Sequence, residues 1–390
     1  NKVLLPDFDG HCSSEIFPLR VRSGLNRRFL YHWLTWQPIV EKIDKTSTGA
    51  RMPRANVNKV LDFEIPLPPL PEQKRIVAIL EEAFAGIDTA IANTEKNLGN
   101  TRQLFQSSLV RCFTQSSKLP SPLIDRSVED PAQVSDGRLN DGRNLSIKSS
   151  TRGRAETDRI IEGGLSLSVG MPSKQPRDGW RWTKLTDIAR LESGHTPSRK
   201  HPEYWNGNIP WLGIKDARAH HGGVINDTQQ HTNQLGIDNS AARILPPGTL
   251  CLSRTASVGY VVVTGEAMAT SQDFVNWVCS SDLDQNFLKY LFLAEGREFS
   301  KFSSGSVHQT IYFPEVKAFH VCHPSVTAQG RIVDFLDEVR VTTDRLESIY
   351  QQKLTTLTEL KQSLLQKAFS GELTADKVAP NPALKEEDIA

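Results

Sequence analysis

The chain repeats itself. Displacing the sequence by 256 positions lays Gly49 on Gly305, Gln73 on Gln329 and Arg75-Ile76-Val77 on Arg331-Ile332-Val333 without a gap. The match runs on through Leu80, Glu82, Asp88, Leu98, Leu104, Gln106-Ser107, Leu109 and Phe113. These fall on Leu336, Glu338, Asp344, Leu354, Leu360, Gln362-Ser363, Leu365 and Phe369. Further upstream, Arg28-Phe29-Leu30 resembles Asn286-Phe287-Leu288 at a displacement of 258. Self-similarity at a fixed period means two copies of one structural unit.

Each copy ends in a long helical pattern. Pro71-Glu72-Gln73 opens the first, with a proline that suits the start of a helix and a carboxylate at the positive end of its dipole. Apolar residues then recur in threes, fours and their sums. The expected seam positions are Ile76, Leu80, Ile87, Leu98, Leu104 and Leu109 in the first helix. In the second they are Ile332, Leu336, Leu346, Leu354, Leu360 and Leu365, and the pattern stops at Gly371. Some 40 residues at 1.5 Å each give a rod of roughly 60 Å, which must lay its apolar stripe on something. The matching rod of the other copy is the natural partner, in an antiparallel coiled coil, because a parallel pair would put both globular domains at one end.

Between the rods the pattern changes. Residues 114–179 are rich in Ser, Asp, Arg, Gly and Pro and read as a largely disordered linker. Within it, Ile160-Ile161 and Leu165–Val169 have the apolar content for one short element. From Gly179-Trp180 to about Pro324, short β-branched runs (Ile209–Ile214, Thr249–Ser253, Tyr260–Thr264, Phe274–Cys279) alternate with Gly/Pro turns, and Leu283–Phe299 reads as helix. This is a mixed α/β (α+β) domain. The expected organisation is residues 1–71, the back part of a first such domain; 72–113, first long helix; 114–179, linker; 180–328, second domain; 329–371, second long helix; and 372–390, a flexible tail. The repeat displacement puts the counterpart of Gly179-Trp180 upstream of Asn1, so the front of the first domain is expected outside this chain, which lacks an initiator Met.

Chemistry-bearing motifs are missing. There is no Walker A loop, no Gly-rich dinucleotide fingerprint, no GxSxG elbow, and no Asn/Asp-Pro-Pro-aromatic string of the amino-methyltransferase kind. His320-Val321-Cys322-His323 and His220-His221 lack the second cluster a tetrahedral metal site needs, so no metal is expected. Five scattered cysteines, never spaced as CxxC, point to reduced thiols and the cytoplasm. No run of 18 apolar residues is present, so no membrane-spanning helix is expected. Lys and Arg (46) balance Asp and Glu (45), so any nucleic-acid affinity must come from local patches.

Several strings resemble the specificity subunit of type I restriction–modification systems. They are Gly194-His195-Thr196-Pro197-Ser198, Pro202-Glu203-Tyr204-Trp205 and Ile209-Pro210-Trp211, then Pro246-Pro247-Gly248-Thr249, Ser253-Arg254 and Ser257-Val258-Gly259. Pro68–Val77 is similar to the family's entry into its conserved helix, and Gln362–Leu373 to its exit. The resemblance implies two target-recognition domains, each reading half of a split sequence in double-stranded DNA, held apart by an antiparallel helix pair. It implies a chain that is not itself an enzyme and carries no cofactor. Two methyltransferase subunits would dock on it with S-adenosylmethionine, and restriction/translocase subunits would bring ATP and Mg. The alternative reading is a coiled-coil scaffold that binds protein or a small ligand without reading DNA.

For DNA reading the useful groups are planar or hydroxyl side chains on rigid loops. Thr196, Ser198, Arg199 and Lys200 form a polar, basic loop between Pro197 and Pro202. Ser253, Arg254 and Ser257 follow an apolar strand, and Lys215 follows another. His308 and Gln309 lie in a Gly/Ser loop whose repeat mates include Arg51 and Arg54. Tyr204, Trp205 and Trp211 are expected in the core.

Overall fold

The two long rods exist. In a computed structural model, α4 spans Leu70–Phe113 and α11 spans Val326–Ser370. The structure describes residues 3–13, 15–48, 54–114, 155–255, 257–305 and 309–377. Ahead of α4 come α1 (Arg27–Thr35), α2 (Gln37–Asp44) and α3 (Val57–Leu61). After it come β1 (Ile161–Glu162), β2 (Leu167–Val169), β3 (Arg181–Lys184), α5 (Leu185–Ile188), β4 (Ala189–Ser193), β5 (Trp205–Leu212), α6 (Ile214–Ala219) and β6 (Val224–Ile225). Next are β7 (His231–Thr232), α7 (Gln234–Asp238), β8 (Leu250–Ser253), β9 (Val261–Thr264), β10 (Ala269–Thr270), β11 (Phe274–Cys279) and α8 (Gln285–Glu295). α9 (Phe299–Phe302), α10 (Phe313–Lys317) and β12 (Phe319–His323) precede α11. No described helix is long and apolar enough to cross a membrane.

The chain divides into two units, residues 1–101 with 345–390, and residues 102–344. In the first, α1 buries Phe29, Trp33 and Leu34 with Ile76, Val77 and Leu80 at the start of α4 and Leu365, Ala368 and Phe369 at the end of α11. Lys361 and Asp88 form an ion pair there. In the second, Leu109, Cys112 and Phe113 at the end of α4 share a core with Ile332, Val333 and Leu336 at the start of α11. Each unit thus joins the start of one rod to the end of the other, the antiparallel arrangement.

The seam differs from the apolar reading in its middle. Leu104 is 52% exposed and Leu360 46% exposed, whereas Thr94, Thr101 and Thr343 are buried. Along α4 the buried face steps by sevens through Gln73, Leu80, Ile87, Thr94 and Thr101. Thr94 Oγ1 donates to Ala90 O at 2.7 Å and Thr101 Oγ1 to Asn97 O at 2.9 Å, so each hydroxyl is satisfied within its own helix and buries as a small side chain. Leu98, Leu346 and Leu354 are half-buried. Accordingly Leu80→Asp, which buries an unpaired carboxylate, should cost several kcal/mol. Leu360→Asp should stay within about 0.5 kcal/mol. Equal urea midpoints for the two variants would exclude this seam.

The second unit carries three sheets, ordered β1-β2-β12-β3, β10-β5-β7 and β4-β11-β8-β9-β6. β5 with β10 and β6 with β9 pair in parallel; the other described pairs are antiparallel. Part of the expected linker is therefore folded: β1 and β2 extend the sheet that β12 centres, with Leu167 opposite Val321. The remainder of that stretch, 115–154, lies outside the described residues, as do 378–390 of the expected tail. The strand runs read from sequence appear as β5, β8, β9 and β11, although Ile214 opens a helix instead of closing a strand. The expected long helix from Leu283 is α8, ending at Glu295 before a 3-10 turn and α9.

The repeat extends to single hydrogen bonds. Gln73 Nε2 donates to Gly24 O and Pro68 O at 2.9 and 2.8 Å, and its Oε1 accepts from Asn26 N at 2.8 Å. Gln329 does the same with Asp282 O and Pro324 O, both at 3.1 Å, and with Asp284 N at 2.9 Å. Asn26 caps α1 and Asp284 caps α8. One buried amide per unit therefore ties a long helix to the cap of the helix that packs beside it.

Candidate nucleic-acid interface

One end of the five-stranded sheet gathers most of the candidate loops. β4 leaves the sheet at Ser193, opposite Val275, and β8 leaves at Ser253, opposite Phe274, where β11 enters. The parallel β5–β10 pair finishes beside them, with Leu212 opposite Thr270 and Ser271 N donating to Leu212 O at 3.0 Å. Residues 194–200, 213–216, 254–255, 257–259 and 271–273 therefore emerge together. Residues 303–305 and 309–311 join them: Ser304 bridges Thr310, Ile311 N donates to Arg254 O at 2.8 Å, and the Thr255 and Thr310 hydroxyls meet at 2.7 Å.

Close approach positions the first loop. His195 N donates to Thr270 O at 2.8 Å, and a Cβ on Gly194 would lie 1.9 Å from Ser271 O, so only glycine fits that crossing. Trp211 Nε1 donates to His195 O at 3.1 Å. Arg199 lies 3.9 Å over the Trp205 ring and donates to Gln230 Oε1 at 2.8 Å, which fixes its planar fork on the surface. Ser198, Arg199 and Lys200 are exposed, and Thr196 is half-buried with its hydroxyl donating to Gln272 Oε1. Lys215 is exposed on α6, whose start is set by Asp216 accepting from Gly213 N at 3.1 Å.

Arg254 is the most constrained of the candidates. It lies 4.7 Å over the Phe313 ring, donates from Nη2 to Gln272 O at 3.1 Å, and its backbone N–H reaches Asp273 O at 2.7 Å. Burial holds its guanidinium below the ordinary arginine value, with Asp273 opposing. Gln309 is exposed, directly before Thr310.

Other candidates are placed differently. Ser253 is fully buried: its Oγ donates to Ser257 O and accepts from Tyr260 N at 2.8 Å, so it closes the turn and does not face solvent. Ser257 is half-buried in that turn. Arg54 lies in the first unit and pairs with Glu15 at 2.6 Å. It bridges Thr48, the repeat counterpart of the Ser304–Thr310 bridge. Arg51 and His308 fall outside the described residues.

Gln272, Thr255 and Gln230 were not among the candidates, yet they connect the loops. For Gln272 the available signal was the polar run Thr270–Asp273 directly before the apolar strand at Phe274, whereas Arg254 was singled out by following such a strand. Trp211 is buried as expected, and Trp205 is half-buried beneath Arg199.

Two histidines of the clusters noted in the sequence have ordinary partners. His323 Nε2 meets Thr183 Oγ1 at 2.9 Å, and His221 Nδ1 accepts from Val261 N at 3.1 Å. Burial pushes the Cys112 and Cys322 thiols up to about 12, so both stay protonated. Among the described residues no group of three His, Cys, Asp or Glu is placed to hold a metal ion.

Comparisons with known proteins agree with this architecture. The family model for the type I restriction modification DNA specificity domain matches residues 2–98 and 177–356. The type I restriction enzyme MjaIX specificity subunit of Methanocaldococcus jannaschii is 31% identical over 165 residues, 42% of this chain and 38% of that protein. This match thus spans about two-fifths of that relative's length. The EcoBI specificity subunit of Escherichia coli is 24% identical over 365 residues, 92% of this chain and 68% of that protein. A solved chain from a study of complex assembly and conformational transition of the type I R-M system has a TM-score of 0.64 at 20% identity, over 88% of this chain and 71% of its own. The HsdS subunit from Thermoanaerobacter tengcongensis gives 0.50 at 20% identity, over 89% and 70%. The structural likenesses establish the fold, and the family model covers well over half of the residues: the chain belongs to the family of type I restriction modification DNA specificity domains.

Proposed function

We propose that this chain is the sequence-specificity subunit of a type I restriction–modification complex, recognising one part of a bipartite target in double-stranded DNA with its second unit. The observation that carries this reading is the convergence at one sheet end of Thr196, Arg199, Lys215, Arg254 and Gln309, on loops held by short hydrogen bonds and stacked rings. Such a face offers forks and amides for base edges and cations for phosphates. The Thr48–Arg54 bridge, counterpart of Ser304–Thr310, supports a second reading surface in the first unit. The chain itself performs no catalysis on this reading. Two methyltransferase subunits dock on it and use S-adenosylmethionine, and restriction/translocase subunits use ATP and Mg, in the cytoplasm.

Exposed cations should grip phosphates. Arg199→Ala with Lys215→Ala is expected to weaken binding on every duplex and make the log–log salt dependence shallower by about two, one for each phosphate contact. Titrations of the full chain on duplex DNA at several salt concentrations measure it. An unchanged slope removes these residues from the interface, and no duplex binding at all, with or without methyltransferase subunits, favours the scaffold reading.

A further inference from the structure

Gln272 occupies the middle of this face. Its side chain is exposed, its backbone carbonyl accepts from Arg254 Nη2 at 3.1 Å, and its Oε1 accepts the Thr196 hydroxyl. The residues on either side cannot shift freely. Ser271 is buried and bonded to Leu212 O at 3.0 Å, and Asp273 O holds Arg254 N at 2.7 Å. A flexible side chain is thus mounted on a rigid turn between the Thr196 loop and the Arg254 loop.

Thr196 donates its hydroxyl proton to Oε1, and this bond holds the amide in one of its two orientations. With Oε1 turned towards Thr196, Nε2 is directed away from it, and the group presents N–H donors. Base edges differ in what they offer to such a group. Guanine shows two acceptors, N7 and O6, in the major groove; adenine sets an exocyclic amine beside its single acceptor N7, and cytosine shows only an amine, so both present hydrogens that would oppose the amide's own. We infer that Gln272 is a specificity-determining residue that selects guanine over adenine and cytosine at one position of the target, and that Thr196 is its positioning residue. This rests on the DNA-reading function proposed above.

Selection of the full chain on a randomised duplex library, followed by affinity measurement on single-base variants, tests both. Wild type should select a guanine that Gln272→Ala no longer prefers, with discrimination falling by about 10- to 100-fold at that position alone. Gln272→Glu, which can only accept, should shift the choice to a base bearing an exocyclic amine. Thr196→Val should broaden the choice to include adenine, because the amide is then free to turn over, and Thr196→Ser should restore guanine. Thermal unfolding of each variant identifies any that fail to fold; Gln272→Glu and Thr196→Val change polarity with little change in volume and keep the test open. If wild type selects a motif and the Gln272 variants select the same one with the same discrimination, the assignment is wrong while the DNA-reading function stands. If wild type selects no motif, both fall together.

Discussion

Replacing Glu295 by alanine should unfold the second unit at markedly lower urea. Glu295 is the last residue of α8 and is almost fully buried. Its Oε1 accepts from the backbone N–H groups of Leu165, Ser166 and Leu167 at 3.0, 2.8 and 3.0 Å, and its Oε2 from Gly164 at 3.1 Å. Burial pushes the carboxyl above its ordinary value against the pull of those four donors. The segment it holds leads into β2, and Ser166 Oγ donates to Phe113 O at 2.6 Å at the end of α4. Alanine would remove the acceptor from four N–H groups, those of Ser166 and Leu167 on buried residues and that of Gly164 within reach of water, at a cost of about 3 kcal/mol. Glu295→Gln keeps an oxygen for three of them but can point an amine at Gly164 N–H, so it should cost about 1–3 kcal/mol. Urea unfolding followed through Trp180 and Trp277, both buried in this unit, separates the three proteins. A common midpoint would mean that the strap contributes nothing.

The second large effect is expected at the repeated amide. Gln329→Leu fills similar space but leaves Asp284 N–H and the carbonyls of Asp282 and Pro324 without their partner. An unsatisfied buried group costs about 1–3 kcal/mol, so the loss should be about 3 kcal/mol or more. Gln73→Leu should do the same to the first unit through Asn26, Gly24 and Pro68. Because the two glutamines share no partner, the double variant should be additive. Exchange of the α1 and α8 amides with deuterium gives the local readout. Protection that survives Gln329→Leu at α8 would show that packing of Phe287 and Leu291, not the amide, holds that helix.

A strap made by one carboxylate and a tie made by one amide share a consequence for the candidate interface. Both fix the scaffold from which the reading loops emerge, without touching those loops. Variants at Glu295 or Gln329 should therefore lower stability while leaving the base preference of the folded fraction unaltered, whereas variants at Gln272 should change base preference with stability kept, and Arg199→Ala should weaken binding on every duplex alike. The two classes of residue are separable by measuring both quantities on each variant.

Much was legible in the residues alone. The 256-residue displacement pairs Gln73 with Gln329, and the structure repeats their hydrogen bonds bond for bond. Apolar spacing marks both long helices, because a long rod buries one stripe and so carries a period, and continuous runs bounded by turns mark β8, β9 and β11, which are buried on both faces. The middle of the seam was not legible. Hydropathy selects Leu104 and Leu360, which face solvent, over Thr94, Thr101 and Thr343, whose hydroxyls bond within their own helix and so bury at little cost. Nor were β1 and β2. Two and three residues carry no periodicity, and what makes Leu167–Val169 a strand is β12, some 150 residues further along the chain. The interface divides in the same way. The residue types on each loop follow from the sequence. That Thr196, Gln272, Arg254 and Thr310 meet at one sheet end, while Ser253 turns inward, was decided by the registers β4–β11 and β11–β8, and register is a property of pairing between distant segments that no local run contains.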